Sequence, residues 1–261
     1  MMMNRSVLKF LPRIRPKELG SLIAWLLRIR RIPAQADGVT LSVDPSTLFG
    51  ARIIEHGTYE SAVVGILRST LCEGDVFVDL GANEGFFSMI ASGLVGQKGR
   101  VFAIEPQERL WPVITQNIVL NDATNVVLVP FAVSDVPGEA EIVVTPASNS
   151  GAASLVANSS MLSRFRPKQK VLTRTLDELS GRYRFGEIGL LKIDIEGFEL
   201  NALRSAEALL RSKAVRKMII EIHPAHLAAL QQSPEEVIRL LERHGYSVES
   251  RDGYCLCTLA M

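Results

Sequence analysis

The chain has 261 residues, of which 47% are apolar and 22% charged, and its formal net charge is +1. Such a length and composition indicate one large globular domain, or a domain with an extension. A net charge this close to zero provides no overall field to attract nucleic acid or a membrane. Cys72, Cys255 and Cys257 are too few for a disulfide framework and favour a reducing, cytoplasmic compartment.

Residues 1–36 form a basic extension, in which Glu18–Arg31 is predicted to be a helix with leucine and isoleucine on one face. We interpret it as a helix packed on the main domain. The alternative is a surface helix that makes weak contact with anionic lipid or with a partner. No stretch reaches the length of a transmembrane span.

Residues 37–71 are predicted to form a lid or entry segment. Val39–Val43 alternates like a strand, and a helix is expected to run through Ala62, Val63, Ile66 and Leu67. Residues 72–261 then form the main domain.

The main domain begins with a strand, a glycine turn and a helix. Val76–Leu80 is a short apolar, β-branched run, and Gly81, Ala82 and Gly85 follow it. Small residues in this turn let a ligand lie against the backbone. The next helix is expected to begin at Phe86, with Asn83 as its N-cap.

Two acids and one asparagine indicate which ligand binds. A dinucleotide fingerprint requires a second glycine two residues after the first, and Asn83 occupies that position. Asp79, at the end of the strand, suits a cation better than a pyrophosphate. Glu105 ends the next strand, Arg100–Ile104, and can accept hydrogen bonds from two ribose hydroxyls. These features favour S-adenosylmethionine (SAM), which carries an ammonium, a sulfonium and no phosphate.

Strands and helices alternate along the rest of the domain, which predicts right-handed crossovers and a parallel sheet. The predicted fold is α/β, a Rossmann-like doubly wound mixed sheet of seven strands, closed by an antiparallel pair. The further predicted strands are Asn125–Val129, Gly189–Ile195, Lys217–Ile222, Tyr246–Ser250 and Tyr254–Leu259, with a hairpin strand at Glu139–Thr145. The predicted helices are Gly85–Leu94, Gln107–Leu120, Phe198–Leu210 and Pro234–His244, and residues 146–170 are expected to be a long loop.

Acidic residues and a histidine follow two neighbouring strands. Asp194 and Glu196 come after the fourth strand, and Glu221 and His223 come at the end of the fifth. These groups can serve as a general base. Alternatively, Asp194, Glu221 and His223 can bind a divalent metal such as Mg²⁺, or some of the groups only hold the structure together. Glu199, inside the following helix, is interpreted as structural.

Several stretches together resemble the FkbM family of SAM-dependent methyltransferases over roughly residues 53–250. They are Gly57–Glu60, Val78–Ser88, Val101–Pro106, Asn117 with Asn121, Ala132–Ser134 and Leu191–Glu199. The resemblance implies methylation of an oxygen, commonly a hydroxyl on a sugar or a natural-product scaffold. It places Asp194 and Glu196 at the reaction centre, and Asp79, Gly81, Asn83 and Glu105 on the cofactor. The remaining residues predicted at or near the cofactor are Tyr59, Glu60, Ala82, Gly85, Phe86, Pro106, Asn117, Ala132, Val133 and Ser134.

The acceptor is therefore predicted to be a small molecule or a glycan. A nucleic-acid methyltransferase is disfavoured because no broad basic patch is evident. The alternative from another class is a non-catalytic SAM-binding module that acts through a partner. The sequence contains no signal for an oligomeric state.

Overall fold

The computed structural model describes residues 30–143, 168–251 and 253–260, together with Ile23 and Leu26. Within them the strands are β1 (Ile32–Ala36), β2 (Val39–Val43), β3 (Val76–Leu80), β4 (Arg100–Ile104), β5 (Val126–Val129), β6 (Ala132–Val133), β7 (Gly138–Val143), β8 (Lys168–Arg174), β9 (Ile188–Ile193), β10 (Val215–Glu221), β11 (Tyr246–Arg251) and β12 (Tyr254–Leu259). The helices are α1 (Leu48–His56), α2 (Ser61–Thr70), α3 (Phe86–Val95), α4 (Trp111–Leu120), α5 (Leu176–Tyr183), α6 (Glu199–Arg204), α7 (Glu207–Arg211), α8 (Pro224–Ala229) and α9 (Pro234–Arg243).

A seven-stranded sheet forms the centre of the domain, with the order β11-β12-β10-β9-β3-β4-β5. Strand β12 runs antiparallel to both β10 and β11, whereas β10, β9, β3, β4 and β5 are mutually parallel. All six residues of β9 are buried, as expected for a strand covered on both faces. The structure thus confirms the predicted mixed, doubly wound sheet.

Most predicted strands match the structure to within two residues because apolar runs between turn residues are strong local signals. Two predicted helices differ from those observed. The helix predicted over 107–120 begins with a 3₁₀ turn at Glu108–Leu110, and the α-helix starts at Trp111. The helix predicted over 198–210 is two short helices, α6 and α7. Between them, the Ser205 hydroxyl donates to the Ala202 carbonyl (2.7 Å) and accepts from the Leu176 amide (3.0 Å).

The amino-terminal segment differs from the prediction at residues 30–36. Most of the helix expected over 18–31 lies outside the described residues, but Arg30 and Arg31 are not helical. Residues 32–36, assigned to the extension from the sequence, form β1 and pair antiparallel with β2. The Arg31 side chain donates to the carbonyl of Ser42 and pairs with the buried Glu84 carboxylate.

Helix α4 holds the β1–β2 hairpin on the domain through two asparagines. The Asn117 amide oxygen accepts from the Ser42 backbone N–H (2.8 Å), and its amide nitrogen donates to the carbonyl of Glu84 (2.7 Å). The Asn121 side chain makes two hydrogen bonds with the backbone of Thr40, at 2.8 and 2.7 Å. The hairpin is therefore joined to the turn that follows β3.

A small sheet of order β6-β8-β7 packs beside the central one. The hairpin strand predicted at 139–145 is observed as β7 at 138–143. Of the loop predicted over 146–170, residues 168–170 belong to β8, and the rest lies outside the described residues. Cys72, Cys255 and Cys257 are free thiols. Among the residues that the structure describes, no helix is long and apolar enough to cross a membrane.

Candidate active site

A pocket opens at the carboxyl ends of β3, β4 and β9. Chain order reverses between β3 and β9, and doubly wound folds bind their ligands at such a point. The pocket is lined by Leu80, Gly81, Asn83, Ile104, Glu105, Pro106, Gln107, Phe131, Ala132, Val133, Ile142, Asp194, Ile195, Glu196 and Phe198.

The lining contains part of the residue set predicted from the sequence. Those present are Gly81, Asn83, Glu105, Pro106, Ala132, Val133, Asp194 and Glu196. The predicted residues that are not part of this lining are Tyr59, Glu60, Asp79, Ala82, Gly85, Phe86, Asn117, Ser134, Glu221 and His223.

Glu105 is a buried carboxylate at the wall of the pocket. Its two oxygens accept from the backbone N–H groups of Asn83 and Gln107, both at 2.9 Å. Burial raises the pKa of Glu105 to about 7, against the opposing effect of these hydrogen bonds. Each carboxylate oxygen keeps acceptor capacity for a further donor such as a ribose hydroxyl.

Asn83 lies in the turn after β3 and also lines the pocket. Its φ is +51°, and its buried side-chain oxygen has no hydrogen-bond partner among the described residues. Such an oxygen is suited to a ligand donor. Asn83 is not the N-cap of α3, as the sequence suggested, because Gly85 in a left-handed conformation takes that place without a side-chain cap.

Gly81 lies where the turn after β3 contacts the loop after β9. Its φ is +82°, and a Cβ there would lie 1.9 Å from the carbonyl oxygen of Asp194. The Asp194 N–H also donates to the carbonyl of Leu80 (3.0 Å). The loops after β3 and β9 are therefore in direct contact, which only glycine at position 81 permits.

Lys192 is a buried cation beneath this contact. Its amino group lies 2.9 Å from an Asp194 oxygen and 3.9 Å from an Asp79 oxygen, and 5.0 Å from the centre of the Phe87 ring. Burial alone lowers the pKa of Lys192, but the two carboxylates raise it above its ordinary value. The ammonium therefore stays charged and compensates both acids.

Asp79 lies beneath the turn, with its side chain fully buried. It accepts a hydrogen bond of 2.7 Å from the Ser88 hydroxyl, and burial raises its pKa while Lys192 opposes the rise. Asp79 does not line the pocket, but it lies near Lys192, which pairs with the pocket residue Asp194.

Tyr59 and Glu60 lie directly before α2 and are not part of the pocket lining. The Tyr59 ring packs edge-on against Phe49, with ring centres 5.1 Å apart. Burial and the neighbouring Glu60 raise the pKa of Tyr59. Burial also raises the pKa of Glu60, which is near enough to Lys192 and Asp194 to feel their charges.

Two residues predicted near the cofactor have other partners. Asn117 is fully buried between the hairpin and the turn after β3, as described above. Ser134 follows the lining residues of β6, and its hydroxyl lies 3.3 Å from an Asp135 oxygen.

The acid–histidine cluster extends from the pocket along the ends of β9 and β10. It consists of Asp194, Glu196, Glu199, Glu221, His223 and His226. Glu196 lines the pocket and has a φ of +51°. One of its oxygens lies 3.2 Å from His226 Nδ1 and 3.7 Å from His223 Nε2. The same Nε2 is 3.7 Å from Glu221, so two loops bring these groups together as predicted from strand adjacency.

Burial and charge shift the titration of this cluster. Burial raises the pKa of Glu196 to about 7, against the effect of His223. Burial and the Asp194 charge raise that of Glu221 to about 7. Burial lowers the pKa of His223, but a hydrogen bond to Glu199 and the Glu196 charge outweigh it and raise the value to about 9.

Asp194, Glu221 and His223 can each offer one ligand atom, and these atoms lie within 4.8 Å of one another. The spacing fits a divalent cation with two oxygen ligands and one nitrogen ligand. Lys192 already provides a positive charge to Asp194.

Sequence reasoning did not identify Lys192, Glu199 and His226 as parts of the site. Lys192 did leave a signal, because it is the one charged residue in the apolar run of β9. The partnerships of Glu199 and His226 arise from contacts between separate loops, for which the chain carries no local pattern.

The model of the methyltransferase FkbM domain matches residues 79–248, which confirms the resemblance inferred from the motifs. Over 206 residues the chain is 26% identical to the AMB antimetabolite synthetase AmbE of Pseudomonas aeruginosa, covering 67% of this chain and 10% of that protein. The chain thus spans about a tenth of the length of this curated relative.

Two solved structures illustrate the structural likeness. The precorrin-6y C5,15-methyltransferase of Geobacter metallireducens is 16% identical with a TM-score of 0.46, covering 77% of this chain and 88% of that one. The fibrillarin of Aeropyrum pernix, solved with natively bound SAM, is 13% identical with a TM-score of 0.45, covering 76% and 73%. Because the family model extends over most of the chain, from Asp79 to Val248, the chain belongs to the methyltransferase FkbM domain family.

Proposed function

We propose that the protein transfers the methyl group of SAM to a hydroxyl of a sugar, a glycan or a natural-product scaffold. The observation that carries this proposal is the continuity of two chemically different surfaces. Glu105 and Asn83 line the same pocket as Asp194 and Glu196, so an adenosine-binding wall is continuous with a cluster of proton acceptors.

The residues of the pocket fit SAM. Glu105 would accept from the ribose hydroxyls, and the orphaned oxygen of Asn83 would accept a further ligand hydrogen bond. Gly81 lets the loops after β3 and β9 meet at the pocket wall, because a Cβ there would collide with the Asp194 carbonyl. When bound, SAM supplies a methyl group on a positively charged sulfur.

Glu196 would take the proton of the attacking hydroxyl. Its carboxylate lines the pocket, and a base with a pKa near the working pH is effective. Asp194, paired with the Lys192 ammonium, would orient the hydroxyl. The oxygen–methyl bond forms as the sulfur–methyl bond breaks, the proton passes to Glu196, and S-adenosylhomocysteine is released. Alignment of the three atoms supplies much of the rate.

The charge of the cluster also supports the proposed class of acceptor. Asp194 and Glu196 present acceptor oxygens in the pocket, which suits a molecule with several hydroxyl donors. The same carboxylates would repel the phosphates of a nucleic acid. We therefore propose a small-molecule or glycan acceptor and no nucleic-acid substrate.

A second candidate mechanism is metal-assisted, with Asp194, Glu221 and His223 holding a cation such as Mg²⁺ that lowers the pKa of the hydroxyl. The spacing of their ligand atoms favours it. Under this mechanism a chelator would abolish turnover, and added Mg²⁺ would restore it.

The test is methyl transfer from SAM labelled in its methyl group to a panel of monosaccharides, polyols and polyketide alcohols. The expected product is a methyl ether, whose label survives mild base, whereas a methyl ester would release it as methanol. Glu196→Gln should retain S-adenosylhomocysteine binding and lose about 10²- to 10⁴-fold in turnover, the usual contribution of a general base. Undiminished turnover in this variant would contradict the role of Glu196. Cofactor binding without transfer to any acceptor would favour a non-catalytic module that acts through a partner.

A further inference from the structure

Glu199 is a fully buried carboxylate at the first position of α6, and it does not line the pocket. Its Oε1 accepts from the backbone N–H of Gly197 at 2.9 Å and lies 2.7 Å from His223 Nδ1. Since a carboxylate oxygen can only accept, Nδ1 carries the shared hydrogen. One oxygen atom thus joins the loop after β9 to the loop after β10.

Folding alone does not explain this arrangement. A buried carboxylate is costly even when it is paired. The Oε2 atom of Glu199 is also buried and has no hydrogen-bond partner among the described residues. A strained or incompletely satisfied group of this kind is typical of functional sites.

The contact of Glu199 with His223 decides where the imidazole points. A histidine ring on a short side chain has broad rotational freedom about χ2. With Nδ1 held by Glu199, Nε2 faces the carboxylates of Glu196 and Glu221, both at 3.7 Å. His226 packs parallel to this ring, with ring centres 5.7 Å apart, and its Nδ1 approaches Glu196 from the other side.

The Gly197 hydrogen bond acts on the same carboxylate from the backbone. Gly197 has a φ of +103°, and a Cβ there would lie 2.4 Å from the Cβ of His226. The turn that carries Glu196 therefore packs closely against α8. Glu199 holds this turn by accepting a hydrogen bond from the backbone amide of Gly197. Loss of the Glu199 acceptor would release both the imidazole and the turn.

We propose that Glu199 is a positioning residue for methyl transfer, acting through His223 and the Gly197 turn to place the Glu196 carboxylate at the pocket. This inference rests on the proposed function. It assigns Glu199 a role in the reaction that its place inside a helix does not reveal.

The test combines kinetics with a spectroscopic measurement. Glu199→Gln preserves shape and an acceptor oxygen, but it removes the negative charge that strengthens both N–H hydrogen bonds. We expect kcat to fall by about 10- to 100-fold, the effect of a small misplacement of a reacting group. KM and S-adenosylhomocysteine affinity should stay within about twofold, because binding contacts are retained. In ¹⁵N-edited proton spectra the wild type should show a far-downfield Nδ1–H of His223, which the variant should lose.

A double-mutant cycle distinguishes positioning from general support of the fold. His223→Asn can still donate to Glu199 but lacks Nε2. If Glu199 acts largely through His223, the double variant should lose less kcat than the product of the two single losses, and any loss beyond that of His223→Asn measures the route through Gly197. The matched control is Glu207→Gln, which removes the carboxylate 3.3 Å from His244 Nε2, remote from the pocket, and should leave kcat unchanged.

Each outcome decides the inference. Unchanged kcat in Glu199→Gln, additive losses in the cycle, or absence of the downfield resonance from the wild type would overturn it. A wild type that shows the resonance and binds S-adenosylhomocysteine but methylates no acceptor would overturn the proposed function instead. The catalytic part of the inference would then fall with it, while the resonance would still establish that Glu199 orients His223.

Discussion

We expect the buried carboxylate of Glu105 to make cofactor affinity depend on pH. Burial raises its pKa to about 7, and the ionised form is the better acceptor for two ribose hydroxyls because both of its oxygens only accept. Proton release must therefore accompany binding below that pH, so affinity falls as the pH decreases. This direction is opposite to that expected for a group that must be protonated to bind.

The size of the effect follows from the ionised fraction. With a pKa of about 7, roughly 0.9 of the carboxyl is ionised at pH 8 and roughly 0.1 at pH 6. The apparent Kd should thus weaken about tenfold over this range, or about 1.4 kcal/mol. Glu105→Gln should weaken binding at pH 8 by about 1.5–3 kcal/mol, the value of a hydrogen bond to a charged group, and should abolish most of the pH dependence.

Isothermal calorimetry with adenosine as well as S-adenosylhomocysteine checks this expectation. Adenosine carries no ammonium or carboxylate, so its pH dependence reports the ribose contact and not the titration of Glu196. A thermal melt of each variant at each pH controls for unfolding. Equal affinity of adenosine at pH 6 and pH 8, or the same slope in Glu105→Gln, would refute the assignment of Glu105 to the ribose.

Three further perturbations test the surroundings of the pocket. Gly81→Ala should lower the free energy of unfolding by more than Gly245→Ala, because both residues have a positive φ but only the Cβ at 81 would meet backbone, 1.9 Å from the Asp194 oxygen. Gly245→Ala should cost about 1–2 kcal/mol in urea unfolding, and equal losses would contradict the importance of the loop contact. Lys192→Met should cost about 3–5 kcal/mol at neutral pH because it leaves two acids without their buried cation. Since the folded pKa of Asp79 is already raised, Asp79 becomes neutral as the pH falls, and the stability lost in Lys192→Met should shrink. Adding Asp79→Asn to Lys192→Met should recover part of that stability. Methyl transfer should persist in excess chelator, whereas a collapse reversed by Mg²⁺ would favour the metal-assisted mechanism.

The sequence was sufficient to predict the sheet because its signals are local. Buried strands such as β3 and β4 are apolar runs closed by turn residues, and their bounds match the structure. Short amphipathic helices were missed, among them α1, α5 and α8, because about two turns provide too few periodic positions. The sequence predicted those pocket residues that a motif places at the ends of strands, such as Glu105 and Asp194. The roles of Lys192 and Glu199 depend on partners that are distant along the chain, so only the folded structure shows them.

The β1–β2 hairpin sets a practical limit on shortening or transplanting this domain. A fragment that starts at Cys72 would expose Glu84, whose side chain pairs with Arg31, and would deprive the buried Asn117 oxygen of the Ser42 amide. Asn117 also holds the carbonyl of Glu84, one residue after Asn83 in the pocket wall. Swaps and fusions that keep the chain from Arg31 onward would preserve that wall, whereas a cut at the family-domain boundary near Asp79 would loosen it.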